Sequence, residues 1–361
     1  MVKGVGAVRM RQLLNFFGSA EIAWNAPADA LISVGLPKKV VENFIQMRTQ
    51  IDLPRVMGSI ESKGITALTI EDSDYPRRLR EIDQPPPVLY IRGSINVEDE
   101  WAVAVVGTRR VTPYGRQVAN ELAVFLAQNG ITVVSGMARG VDAIAHQSAM
   151  RAGGRTIAVL GSGVDVIYPP EHARLASEIC KQGALVSDYA IGTKPDGINF
   201  PPRNRIISGL TLATVVVEAG ETSGALITAE FAVEQGKEVF AVPGSILAPQ
   251  SSGTNRLIEQ GARPLLKMSE ILETLNLEKI PEKKSSRRQF PLEPPEATLL
   301  STLSQEPLHM DEVSRLAGMP INEVSALLTM LELKGMVSHV GGMNYVAIRD
   351  EKGQYLSHGI K

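Results

Sequence analysis

Between residues 101 and 270 the chain repeats one unit: a short, almost wholly apolar run followed, in most cases, by a helical stretch. The runs are Ala102–Val106, Ile131–Val134, Thr156–Leu160, Leu185–Ser187, Thr214–Glu218 and Glu238–Val242. Their Val, Ile and Ala residues follow one another instead of alternating with polar residues, so neither face of such a strand meets water. A parallel sheet covered by helices on both sides buries both faces, and its crossovers need the intervening helices. The segment is therefore α/β, a doubly wound, mostly parallel sheet. In that architecture a ligand sits beyond the carboxyl ends of the strands, where loops enter helix N-termini.

The flanks have a different grammar, and 361 residues leave room for two or three domains. Val2-Lys3-Gly4-Val5-Gly6 leads into an apolar face at helical spacing (Val8, Leu13, Leu14, Phe16, Phe17) closed by Gly18, and Leu31 to Met47 supplies another helix pair. A Gly-x-Gly turn entering a helix matches half of a helix-hairpin-helix, which can hold a phosphate; the same residues also suit a small packing module. Residues 1–70 are thus expected to form a small helical, SAM or helix-hairpin-helix-like domain. Residues 71–277 then form the sheet domain, entered through Asp74-Tyr75-Pro76 and Pro85-Pro86-Pro87.

Residues 278–290, rich in Lys, Arg and Ser, have no apolar period and read as a linker. Ala297–Leu303, Met310–Ala317 and Ile321–Leu333, then Val337–Val346 broken by Gly341-Gly342, predict three helices and a hairpin. That is a winged helix over residues 291–348, with a tail at 349–361. From Pro291 to Lys361 five basic residues face nine acidic ones. A major-groove reader brings more positive charge, so a protein-contact or regulatory role is expected of this domain.

Lys and Arg total 37 against 39 Asp and Glu, which excludes a nucleic-acid binder of the bulk-basic kind; any polyanion site must be local. The single cysteine, Cys180, excludes an intramolecular disulfide framework and a Cys-rich zinc site, and is expected to be a buried structural thiol. No stretch is long and apolar enough for a membrane span, and no secretory h-region opens the chain, so no membrane partner is expected and the cytoplasm is the expected compartment.

The strand ends carry the chemistry. The first closes in Gly107-Thr108-Arg109-Arg110, where an arginine stands in place of the glycine that a dinucleotide fingerprint needs. A guanidinium there suits a phosphate diester, because its planar fork pairs two oxygens. The second ends in Ser135-Gly136-Met137-Ala138-Arg139-Gly140; Asp142 is expected to cap the following helix and His146 to be a packed histidine. The third ends in Gly161-Ser162-Gly163 and leads to Tyr168-Pro169, and the fifth ends in Glu218-Ala219-Gly220 with Ser223-Gly224 opening a helix. Gly/Ser turns feeding helix starts favour anions. The densest cluster is Phe200-Pro201-Pro202-Arg203-Asn204-Arg205-Ile206-Ile207-Ser208-Gly209-Leu210, which combines guanidinium forks with an aromatic able to stack on a base.

These segments, taken in order with Val106-Gly107-Thr108-Arg109, Gly154–Leu160, Val242-Pro243-Gly244 and the upstream Tyr75-Pro76 and Pro86-Pro87-Val88-Leu89-Tyr90, resemble the DNA-processing protein A (DprA/Smf) family. The resemblance implies an extended Rossmann-like domain that binds single-stranded DNA, forms a homodimer and hands incoming DNA to the RecA recombinase during natural transformation. Carried over by position, it implies a DNA site of Gly107, Thr108, Arg109, Ser135, Gly136, Lys194, Phe200, Arg203, Asn204, Arg205, Ser223 and Gly224, with no cofactor, no metal and no catalysis. Pro170 and Gly197 stand where the family often has lysines, and Lys194 is the expected substitute for the second. A rival reading is a phosphoribohydrolase-like enzyme on a small nucleotide, built on Glu218, Gly220, Ser223 and Gly224.

Overall fold

The computed structural model describes residues 2, 4–277, 294–304, 307–333 and 336–347. The expected linker (278–290) and tail (349–361) lie outside the described residues. The chain divides into two compact units, Met1–Leu275 and Asn276–Lys361.

The first unit opens with helices α1 (Ala7–Phe17), α2 (Ala20–Asn25), α3 (Ala28–Ser33) and α4 (Lys38–Gln50), packed around Leu13, Leu31, Val40, Val41 and Phe44. Gly18 ends α1 because it takes φ +78° and returns its N–H to the Leu14 carbonyl, the left-handed closure that glycine permits. Gly4, at φ +93°, would bring a Cβ to 2.8 Å from Val40 Cγ2, so close packing against α4 accounts for this glycine without a phosphate. Helix α5 (Leu53–Ser62), capped by Asp52, leads into strand β1 (Ile65–Thr69), and Ile60 and Ile65 are buried in the sheet's own core. The sheet thus begins before residue 71, five residues inside the region read as helical; β1 is too short and half-exposed to declare itself by pattern.

The remaining elements follow as α6 (Arg77–Arg80), β2 (Val88–Gly93), β3 (Ala102–Val106), α7 (Pro113–Gln128), β4 (Thr132–Ser135), α8 (Val141–Arg151) and β5 (Thr156–Val159). After these come α9 (Ala173–Gln182), β6 (Ala184–Ser187), α10 (Phe200–Gly209), β7 (Ala213–Val216), α11 (Gly224–Glu234), β8 (Glu238–Ala241), α12 (Ser252–Glu259), β9 (Arg263–Pro264) and α13 (Ser269–Thr274). Among the described residues they form a nine-stranded sheet of order β1-β2-β6-β5-β4-β3-β7-β8-β9. The pairs β1–β2 and β2–β6 are antiparallel and the rest parallel. Every residue of β3 is buried, as its continuous Ala/Val sequence requires. Ala102, Ala104 and Val106 meet Ile206 and Ile207 of α10 and Ala225 and Ala229 of α11 on one face, and α7, α8 and α9 cover the other. Strand order reverses beside β3, so the loops after β3 and β7 flank the switch point. Upstream, Tyr75 is buried and its hydroxyl donates to the Pro86 carbonyl at 2.8 Å, which joins the two ends of the Pro-rich entry.

The second unit contains α14 (Pro294–Thr302), β10 (Leu308–His309), α15 (Met310–Ala317), α16 (Ile321–Leu333), β11 (Val337–Gly341) and β12 (Asn344–Ala347). Its strands are antiparallel in the order β10-β12-β11, and Leu299, Val313, Val324, Leu328 and Leu331 fill the core: a winged helix. Positive φ at Gly342 and Met343 makes the tight turn of the wing. Among the described residues no helix is long and apolar enough to cross a membrane.

Candidate functional site

The switch-point crevice is filled from within. Glu218, buried at the end of the β7 run, accepts hydrogen bonds from the Thr112 N–H at 2.9 Å and the Thr112 hydroxyl at 2.7 Å. Its carbonyl accepts the Thr108 N–H at 2.7 Å. Thr112 in turn caps α7 by accepting the Gly115 N–H, and a Cβ at Gly115 would sit 2.5 Å from the carboxylate. Gly107 is confined in the same way, since a Cβ would meet Val141 Cγ2 at 2.6 Å. The Thr108 hydroxyl accepts the Arg110 N–H at 3.1 Å, so the turn is rigid and sends Arg109 out into solvent.

Beyond β4 the loop is also closed internally. The Ser135 hydroxyl donates to the Val105 carbonyl at 2.7 Å and is fully buried. Gly140 is the N-cap of α8; Asp142, expected in that role, instead folds back to accept the Gly136 and Ala138 N–H groups at 3.2 and 3.1 Å. Burial pushes its carboxyl up despite these donors. His146 is the packed histidine expected, with Nδ1 2.6 Å from Thr156 Oγ1 and burial pulling its pKa down to about 3. Cys180 is only half-buried, and burial pushes its thiol up.

Residues Ser135, Arg203, Asn204 and Arg205 were each expected at the ligand; the structure gives all four internal partners. Arg203 is 5% exposed, and its Nη1 donates to the carbonyls of Gly136, at 2.7 Å, and Val159, tying the ends of β4 and β5 to α10. Burial lowers its pKa to about 10, which leaves it charged at neutral pH. The buried Asn204 donates to the Gly224 carbonyl at 3.1 Å, and Arg205 pairs with Asp188 at 2.8 Å with only 11% of its side chain exposed. The physical reason is helical: α10 begins at Phe200, so Arg203 and Asn204 fall one turn in, on the face toward the sheet.

What remains outward is a compact aromatic and cationic surface. The half-buried Phe200 ring has the Arg109 guanidinium carbon 5.9 Å from its centroid and that of Arg203 also 5.9 Å away. Tyr168 lies beside it, ring centroids 5.6 Å apart and planes inclined by 32°. Gly161 makes room, because a Cβ there would meet Phe200 Cδ1 at 2.8 Å. Lys194 is exposed on a loop pinned by Gly163 N–H to the Thr193 carbonyl and by Gly192 N–H to Asp165 at 2.8 Å; Asp165 is also paired with Lys63 at 2.6 Å. Ser223 caps α11 through the Ala225 N–H at 3.4 Å, with Gly224 exposed beside it. Sequence reasoning missed Tyr168 as the neighbour of Phe200, Asp165 as an anchor of the Lys194 loop and Asp188 as the partner of Arg205. Tyr168 was visible as half of a Tyr-Pro pair, but nothing local signals its approach to a ring 32 residues away. Among the described residues no group of His, Cys, Asp and Glu is arranged to hold a metal ion.

A doubly wound sheet whose switch point is closed by its own glutamate, with an arginine and aromatic surface at the strand ends, plus a winged-helix unit, defines a Rossmann-type class without the dinucleotide fingerprint. The family model for DNA recombination-mediator protein A matches residues 66–276, and that for the DprA winged helix domain matches residues 283–343. The chain belongs to the DNA recombination-mediator protein A (DprA/Smf) family. It is 38% identical to Protein Smf of Synechocystis sp. over 95% of this chain and 96% of that one. It is 42% identical to Protein Smf of Escherichia coli, over 91% and 90% respectively. The X-ray structure of DNA processing protein A from Streptococcus pneumoniae superposes with a TM-score of 0.66 at 32% identity, covering 75% of this chain and 94% of that one. The Helicobacter pylori protein, described with a single-stranded DNA binding mode, gives 0.53 at 32%, covering 59% and 95%.

Proposed function

We propose that this chain is a non-catalytic binder of single-stranded DNA that protects incoming strands and loads the RecA recombinase onto them in natural transformation, acting in the cytoplasm as a homodimer through its sheet domain. The observation that carries the binding role is the exposed Arg109 guanidinium beside the half-buried Phe200 ring, 5.9 Å from its centroid. Arg109 offers a fork for a phosphate and Phe200 a face for a base, and a duplex hides that base face within its stack. Lys194 and the Gly224 N–H extend the phosphate contacts, while Arg203, Asn204 and Arg205 hold the surface in place. The sheet domain carries fifteen basic against fourteen acidic residues from 101 to 270, so the attraction is focused at the strand ends. Family membership and the single-stranded DNA binding mode described for the Helicobacter pylori relative support the reading. The rival enzyme reading loses its glutamate, because both Glu218 oxygens are committed to Thr112.

Salt-titrated binding to a labelled oligonucleotide tests the site. Arg109→Ala is expected to weaken binding and to flatten the salt slope by about 0.7, the single-strand value for one lost phosphate contact. Unchanged affinity and slope would remove Arg109 from the interface. The delivery role is tested separately, by RecA strand exchange on strands coated with single-strand-binding protein; no stimulation by this chain would overturn it.

A further inference from the structure

We infer that Tyr168 is a second base-stacking residue, so that the site seats two neighbouring bases of a single strand, one on Phe200 beside the Arg109 fork and the next on Tyr168. The inference rests on the single-stranded DNA reading above and specifies how that site reads its substrate. A tyrosine paired with a phenylalanine for core packing alone would be buried, and its hydroxyl would find a partner. The buried Tyr75 does so on Pro86, and the half-buried Tyr189 donates to the Asn199 carbonyl at 3.3 Å. Tyr168 instead is 40% exposed, and among the described residues its hydroxyl has no hydrogen-bond acceptor in the protein. Its ring lies 5.6 Å from that of Phe200 at an inclination of 32°, so the two aromatic groups adjoin at the strand ends.

The charges around this face are placed for a strand, not for an apolar partner. Arg109 stands beside the Phe200 end, its guanidinium carbon 5.9 Å from the ring centroid, whereas Arg139, on the loop after β4, is paired with Glu171, three residues beyond Tyr168, at 2.5 Å. The fork at the Phe200 end is therefore free for phosphate, whereas the guanidinium near the Tyr168 end, Arg139, is engaged by Glu171. Because every base has a π face, such a platform tolerates any sequence but requires that bases be present.

The experiment compares wild type, Tyr168→Ala, Tyr168→Phe and Arg109→Ala on a dT oligonucleotide and on an abasic strand of equal length, across a salt series. Tyr168→Ala is expected to bind the dT strand about tenfold more weakly, the scale of one lost base stack, with an unchanged salt slope and unchanged affinity for the abasic strand. Tyr168→Phe, which keeps the ring, is expected to recover most of the loss; this also guards against a folding defect, as does an unchanged urea midpoint. If Tyr168→Ala binds both strands like wild type, or weakens both equally, the inference is overturned while Arg109→Ala still reports on the site. If wild type itself fails to hold the dT strand, both readings fall.

Discussion

Arg203 lies beneath Phe200, its guanidinium carbon 5.9 Å from the ring centroid, while Nη1 donates to the carbonyls of Gly136 and Val159. One buried cation thus fastens the ends of β4 and β5 and supports the ring that faces solvent. Arg203→Ala strands two buried carbonyls and opens a void, and an unmet buried polar group costs about 1–3 kcal/mol. A loss of about 2–5 kcal/mol is expected in urea unfolding. Single-strand affinity should fall because Phe200 loses its support, yet the salt slope should stay at the wild-type value, since no phosphate contact is lost. A slope reduced as in Arg109→Ala would instead show Arg203 on the strand. Arg203→Lys should be a poor rescue, because the ammonium is a more strongly hydrated charge to bury and leaves the space of the guanidinium plane beside Phe200 unfilled.

Glu218 makes an analogous closure at the switch point. Glu218→Ala leaves the Thr112 N–H and hydroxyl without their acceptor in a buried site and loosens the start of α7; a loss of about 2–4 kcal/mol is expected by thermal or urea melting. Glu218→Gln keeps one oxygen for the N–H, and the hydroxyl can turn its hydrogen away and accept from the amide NH2, so the loss should be about 1 kcal/mol. Incubation of wild type with nucleoside monophosphates should release no base. Base release that Glu218→Gln abolishes would restore the enzyme reading and show that the carboxylate leaves Thr112 during turnover.

The sheet was legible because its strands are continuous apolar runs: all six match described strands to within two residues at either end. The winged helix was legible from helical spacing and the Gly341-Gly342 break. Strand β1 was not, since its burial alternates unevenly and its partner β2 lies across a turn-rich stretch. For the site, position along the chain revealed which loops converge, but not which side chains point outward. Arg109 and Arg203 read alike as sequence. One ends a rigid turn in solvent, and the other sits one helical turn in, facing the sheet. The partner of Arg205, Asp188, comes from a different strand end, so neither its pairing nor the approach of Tyr168 to Phe200 has a local signal.

The pH dependence of stability has an identifiable contributor in His146. In the unfolded chain it takes a proton near pH 6.5, whereas burial in the native state, with His172 and Arg203 nearby, holds its pKa down to about 3. Between those values the unfolded state binds more protons, so stability is lost as pH falls from about 6.5 toward 3, by up to about 1.4 kcal/mol per pH unit. The measurement is urea unfolding of wild type and His146→Asn from pH 7 to pH 4. His146→Asn should be less stable at pH 7, having lost the contact to Thr156, but its stability should decline less steeply on acidification. Parallel pH profiles would mean that His146 is not held neutral.

Gly161 offers a test of the surface that changes no charge and removes no contact to DNA. It is buried at the end of the β5 run, where an alanine Cβ would fall 2.8 Å from Phe200 Cδ1 and 3.1 Å from Cε1. Real Cβ atoms do not approach so closely, so the ring must shift or turn. Arg203, Arg109 and Tyr168 all border the ring, so a shift disturbs its place among them. Overpacking of this kind costs about 1–3 kcal/mol, tolerable for a domain with so extensive a core. Gly161→Ala is therefore expected to remain folded, with a modestly lowered urea midpoint, and to bind a dT oligonucleotide several-fold more weakly at an unchanged salt slope. Loss of affinity together with a flattened slope would mean that the moving ring displaces Arg109 from its phosphate. Full affinity in a folded Gly161→Ala variant would mean that the position of Phe200 does not matter, and the base contact would have to be sought elsewhere along the strand ends.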